Sequence, residues 1–186
     1  SSTLPAISRS RSAEIDSVLD NCTMEKPNNI EDFVKGMAEE LLTGSRVYYD
    51  LDKLRYSAVF IDWIHEYGEY IDLEDDEFEK ITKDTHDDMI DLVREIRDAI
   101  MLPDNIEAPF SSVTFRWRED FVEVHRDNAR FVNRAVRALS GKHPFRSFKM
   151  AVYDHDLKKE WFAFELDRMK EYVRHELGIK PSHFLN

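Results

Sequence analysis

Apolar residues recur at spacings of three and four along most of this chain, interrupted once by a stretch with strand character. Phe33, Val34, Met37 and Leu41 form the first clear helical stripe. Asn28 or Asn29 can cap that helix, Glu31 and Asp32 suit its first turn, and Gly44 can end it in the left-handed conformation. The chain then turns aromatic and β-branched over Arg46-Val47-Tyr48-Tyr49-Asp50 and again from Arg55 to Ile61. This predicts a β-hairpin near residues 46–61, linked by Leu51-Asp52-Lys53-Leu54. Met89, Ile90, Val93, Ile96 and Ile100 restore the helical period over about residues 87–99, and Pro103 and Pro109 make residues 104–112 a loop.

Four more helices follow in the pattern. Phe115, Phe121, Val122 and His125 mark the first, and Phe131, Val132, Ala135 and Ala138 mark a second that Asn128 can cap and Gly141 can end. Pro144 suits the first turn of a short third helix carrying Phe145, Phe148 and Val152. Asp156 is placed to cap the fourth and longest, with Phe162, Leu166, Met169, Val173 and Leu177 as its stripe. The expected fold class is therefore α+β, mainly helical, with the small hairpin and a C-terminal unit of about four helices.

Composition sets the limits of this picture. Hydrophobic residues make up 42% of the 186 and charged residues 34%, which is a globular balance. Residues 1–28 read as a flexible or weakly ordered segment, with a short helix available from Glu14 to Cys22, and residues 29–186 read as one globular domain. The Ser- and Arg-containing start lacks a secretory core but matches the trailing end of an organellar transit peptide, so the alternative to a cytoplasmic protein is an organelle interior. Cys22 is the lone cysteine, which excludes an internal disulfide and suits a reducing compartment. No apolar run reaches the length of a membrane span. The net charge of -12 is uneven: residues 1–111 hold 11 basic and 27 acidic groups, residues 112–186 hold 15 and 11.

Several short stretches together resemble the bacterial uncharacterised protein family 0158. They are Thr43-Gly44-Ser45 leading into Arg46-Val47-Tyr48-Tyr49, Ile100-Met101-Leu102-Pro103, Phe115 with Asp120-Phe121-Val122, the run from Leu139 to Lys149, and Trp161-Phe162-Ala163-Phe164. The resemblance spans roughly residues 30–178. It implies a fold and a compartment, and no established activity comes with it.

Candidate chemistry concentrates in the C-terminal third. Arg146 and Lys149 share a helical face, with Lys142, His143, Lys158 and Lys159 near them in sequence, a grouping suited to phosphate or carboxylate. Phe148 and Trp161, with Phe145 and Phe164, are either a packed aromatic cluster or anchors for a partner helix or peptide. Arg126, Arg130 and Arg134 fall on one stripe that suits an acid–arginine interface. For a divalent metal, the candidates are His86, Asp87 and Asp91 at one place and Asp154 and His155 at another. No nucleophile elbow, phosphate-binding glycine loop or dinucleotide fingerprint occurs among the five glycines.

The reading that follows is a non-enzymatic adaptor or regulatory protein. It binds another macromolecule, a protein partner first, through the aromatic and basic C-terminal surface at Lys142, Arg146, Lys149, Lys158, Lys159, Phe148 and Trp161, and it implies no cofactor. The alternatives are a metal-dependent hydrolase or nuclease built on the Asp/His clusters, and phosphate or RNA binding at the basic helices.

Overall fold

The computed structural model of the chain describes residues 29–83 and 88–180. The expectations for residues 1–28, including the Glu14 to Cys22 helix, lie outside the described residues. What is described is mainly helical α+β: nine helices and a three-stranded antiparallel sheet among these residues. They divide into two compact units, one up to Glu107 and one from Ala108, where the sequence suggested one domain. The division falls close to the change in charge at residue 111.

In the first unit, α1 (Ile30–Leu42) starts where Asn29 Oδ1 accepts the Asp32 amide at 2.9 Å and ends before Gly44, whose φ of 91° only glycine takes without strain. Strands β1 (Ser45–Asp50) and β2 (Arg55–Phe60) form the expected hairpin in the register Val47 to Ala58 and Asp50 to Arg55. No Asn-Gly pair forces this turn. Asp50 does so instead, because its Oδ1 accepts the Lys53 amide at 3.1 Å while Leu54 adopts a φ of 47°.

A third strand, β3 (Asp104–Ile106), pairs with the free edge of β1. Residues 104–106 read as loop in sequence because three residues after a proline carry no strand period. Their backbone groups are claimed by β1, a pairing visible only in three dimensions.

Both faces of the sheet are covered. Phe33 on α1 meets Tyr49 and Tyr56 edge-on at 6.4 and 5.9 Å, while Tyr48 and Val59 turn to the other face and pack with Val93 and Ile96. Those two belong to α5 (Asp88–Ile100). Gly36 allows α1 to lie directly on Tyr56; a Cβ there would overlap the phenol.

Between the hairpin and α5 the acidic segment folds into α2 (Ile61–Glu66), α3 (Gly68–Ile71) and α4 (Asp75–Thr82). Arg97 organises it. Its Nη1 donates to the carbonyls of Tyr70, Ile71 and Leu73 at 3.0, 2.8 and 2.7 Å, its Nη2 to Asp75 at 2.6 Å, and its Cζ lies 4.6 Å from the centre of the Phe78 ring. One guanidinium thus satisfies the carbonyls that end a short helix.

The second unit is four helices: α6 (Ser111–Val124), α7 (Ala129–Leu139), α8 (Pro144–Asp154) and α9 (Lys158–Glu176). Asn128 caps α7, accepting the Phe131 amide at 3.2 Å. Asp156 does not cap α9 as its position suggested. It takes a φ of 58° just beyond α8, and the Asp156 and Leu157 amides close back on the carbonyls of Tyr153 and Val152 at 3.2 and 3.0 Å, so that it ends one helix instead of starting the next.

The core of this unit is aromatic, with Phe121 at its centre. Phe131, Phe148, Trp161 and Phe164 surround it at ring separations of 5.2 to 6.3 Å, with all four pairs edge-to-face. His125 closes the cluster, 4.3 Å from Phe121, with Nδ1 at 3.0 Å from the Phe121 carbonyl and Nε2 at 2.7 Å from Glu160.

Candidate functional site

The buried cluster leaves a groove about 350 Å³ in volume bounded by α6, α8 and α9. Its floor is Phe148 and Trp161, 1% and 4% exposed. These two were candidate anchors for a partner; burial makes them the base of the groove, with no free face to insert elsewhere. The rings available to a partner are Phe145 and Phe162, 36% and 45% exposed.

Polar groups line the rest. Arg118 reaches the groove from α6, Arg146 and Lys149 from α8, and Glu165 from α9. Arg118 is the unusual member. Its guanidinium lies 4.3 Å from the centre of the Phe145 ring and 5.3 Å from that of Trp161, and its side chain is only 14% exposed. Nη1 donates to the Thr114 carbonyl at 2.6 Å, and the buried Nε has no hydrogen-bond partner among the described residues.

Glu165 Oε1 stands 3.9 Å from Arg118 Nη2, an ion pair too long for a hydrogen bond. Burial lowers the pKa of Arg118, and the nearby Glu165 charge only partly restores it. Burial likewise raises the Glu165 carboxyl, against the pull of Arg118 first and Lys149 second. Both members are therefore less comfortable as ions than they would be in water, because desolvation exceeds an attraction exerted across nearly 4 Å.

The remaining basic candidates separate by position. Arg146 lines this groove and also a second one on the other side of α8. Lys149 Nζ lies 5.6 Å from the Tyr153 ring centre; Lys158, which lines neither groove, has its Nζ 5.2 Å from the ring centre of Tyr153 and 5.6 Å from that of Phe162. Lys142 and Lys159 are exposed and line neither groove. Arg126 falls in the turn before α7, where it pairs with Glu123 at 3.5 Å, so the stripe proposed for Arg126, Arg130 and Arg134 is broken at its first member.

Of the metal candidates, His86 and Asp87 lie outside the described residues. Among those described, no three metal-binding side chains gather: Asp91 is exposed, His155 Nδ1 contacts the Ala151 carbonyl at 2.8 Å, and Asp154 is paired with Arg134 at 3.8 Å. A larger concavity, about 700 Å³, lies in the first unit beside Arg97, and its two arginines are already engaged. Arg97 holds the carbonyls described above, and Arg94 bonds Glu79 and, at 2.9 Å, Thr82.

Nothing in the sequence pairs Arg118 with Glu165. They are on different helices and far apart in the chain, and only the packing of Trp161 and Phe148 brings them to one groove. No described helix is long and apolar enough to cross a membrane. Comparison of the chain with protein-family models, curated proteins and solved structures gave no match, so the resemblance noted above rests on its motifs alone.

Proposed function

We propose that the C-terminal helical unit is a non-enzymatic binding module that takes a partner segment combining an apolar side chain with acidic ones. The carrying observation is the composition of the α6/α8/α9 groove: two exposed rings, Phe145 and Phe162, above an aromatic floor, with three cations and one carboxylate around it. The rings provide apolar area for an inserted side chain, and the surplus positive charge selects an acidic flank. A volume of about 350 Å³ suits an inserted side chain. A cytoplasmic setting fits this reading and rests on the single cysteine and the lack of a long apolar run.

The test is fluorescence anisotropy with the full chain and labelled peptides in which a leucine–phenylalanine anchor is flanked by glutamates. Binding should weaken about tenfold in Phe162→Ala and in Lys149→Glu and should be absent for a lysine-flanked peptide. Equal binding of both peptides, or indifference to both substitutions, would overturn the proposal.

A further inference from the structure

The second groove, on the opposite side of α8, has a different character. It also measures about 350 Å³ and is lined by Arg134 and Arg137 from α7, His143 from the turn, and Arg146, Ser147 and Met150 from α8, with no acidic residue in its wall. Arg137 and Arg146 have no carboxylate partner among the described residues. Arg134 has one, Asp154 at 3.8 Å, but both side chains are more than half exposed, and such pairs contribute about 0 to 1 kcal/mol. In a chain of net charge -12, three guanidiniums around one small concavity, two of them without a carboxylate partner among the described residues and the third in an exposed pair, are a local concentration of positive charge.

The chemistry of the lining narrows the ligand. Two guanidinium forks can saturate a carboxylate's two oxygens; a third fork, an imidazole and a hydroxyl suit a group with three terminal oxygens and a charge near two. An extended nucleic-acid backbone is disfavoured, since one isolated pocket on an acidic chain is not the basic track that successive phosphates require. Arg146 borders both grooves, so a segment crossing α8 would meet the aromatic groove on one side and this one on the other.

We propose that the Arg134, Arg137, His143 and Arg146 groove is a phosphomonoester site, reading a phosphorylated side chain on the same partner segment whose apolar anchor fills the neighbouring groove. The placement on that segment rests on the binding-module reading above; the phosphoryl chemistry of the groove does not.

The experiment uses the full chain and the anchor peptides just described, with a phosphoserine stepped residue by residue away from the anchor, each beside its unphosphorylated twin. Phenyl phosphate and a uridine oligonucleotide serve as separate probes. At the best spacing, phosphorylation should tighten binding about tenfold or more, and Arg137→Ala should abolish that gain while leaving the unphosphorylated twin unchanged. Phenyl phosphate should shift the backbone resonances of His143 and Ser147 in the wild type and not in Arg137→Ala. No phosphorylation gain at any spacing, with no phenyl phosphate shift, overturns the proposal while binding of the unphosphorylated peptides still upholds the module. Phenyl phosphate binding without any peptide binding removes the shared-segment placement together with the module reading and leaves the groove as a phosphate site only. Tighter binding of the oligonucleotide than of any phosphopeptide would assign the groove to RNA and overturn the proposal.

Discussion

Arg118 and Glu165 face each other at 3.9 Å across the floor of an aromatic groove, and burial works against the charge of each. The pair ties α6 to α9 without a direct hydrogen bond. That arrangement has a consequence for stability that depends on pH.

The Glu165 carboxyl is raised in the folded protein and ordinary in the unfolded chain. Between those two values the native state holds a proton that the unfolded state has released, so this group's stabilising contribution is complete below the ordinary glutamate value and is lost as pH rises through the folded one. Urea denaturation of the wild type and Glu165→Gln across the range from about pH 4 to 8 should show the wild type losing ground to the variant as pH rises. A difference that grows in the wild type's favour with rising pH would contradict the raised value.

Phe121 and Phe162 should behave as opposites. Phe121 is fully enclosed at the centre of the ring cluster, whereas Phe162 is nearly half exposed at the groove rim. Phe121→Ala should cost about 3 to 5 kcal/mol and Phe162→Ala no more than about 0.5 kcal/mol, read from chemical denaturation. A large loss in Phe162→Ala would return that ring to the core and remove it from the proposed groove.

Gly36 gives a third measurement. Alanine favours a helix interior over glycine by about 1 kcal/mol, yet a Cβ at this position enters the space of the Tyr56 phenol. Gly36→Ala should therefore destabilise by about 1 to 3 kcal/mol despite the better propensity. Gly68→Ala, where a Cβ meets nothing within 4 Å, should stay within about 0.5 kcal/mol of the wild type. A stabilised Gly36→Ala would mean that α1 does not rest on Tyr56.

Features set by near neighbours in the chain were legible from sequence. The stripe of Phe33, Val34, Met37 and Leu41, the caps at Asn29 and Asn128 and the stop at Gly44 each depend on residues within a turn or so of one another, and all appear in the structure. Asp156 marks the edge of that competence. Its side chain suggested the start of a helix, but the backbone bonds from Asp156 and Leu157 back into α8 made it an end.

The candidate site was legible in its residue types and not in its geometry. By itself the sequence determined a mainly helical α+β chain with an aromatic, basic C-terminal part, because helical period, capping chemistry and charge are local properties. Tertiary structure alone decided that Phe148 and Trp161 form a floor while Phe145 and Phe162 form a rim, that β3 completes the sheet, and that Arg118 meets Glu165. Those outcomes depend on which faces of distant segments are removed from water together, and no spacing along the chain encodes that choice.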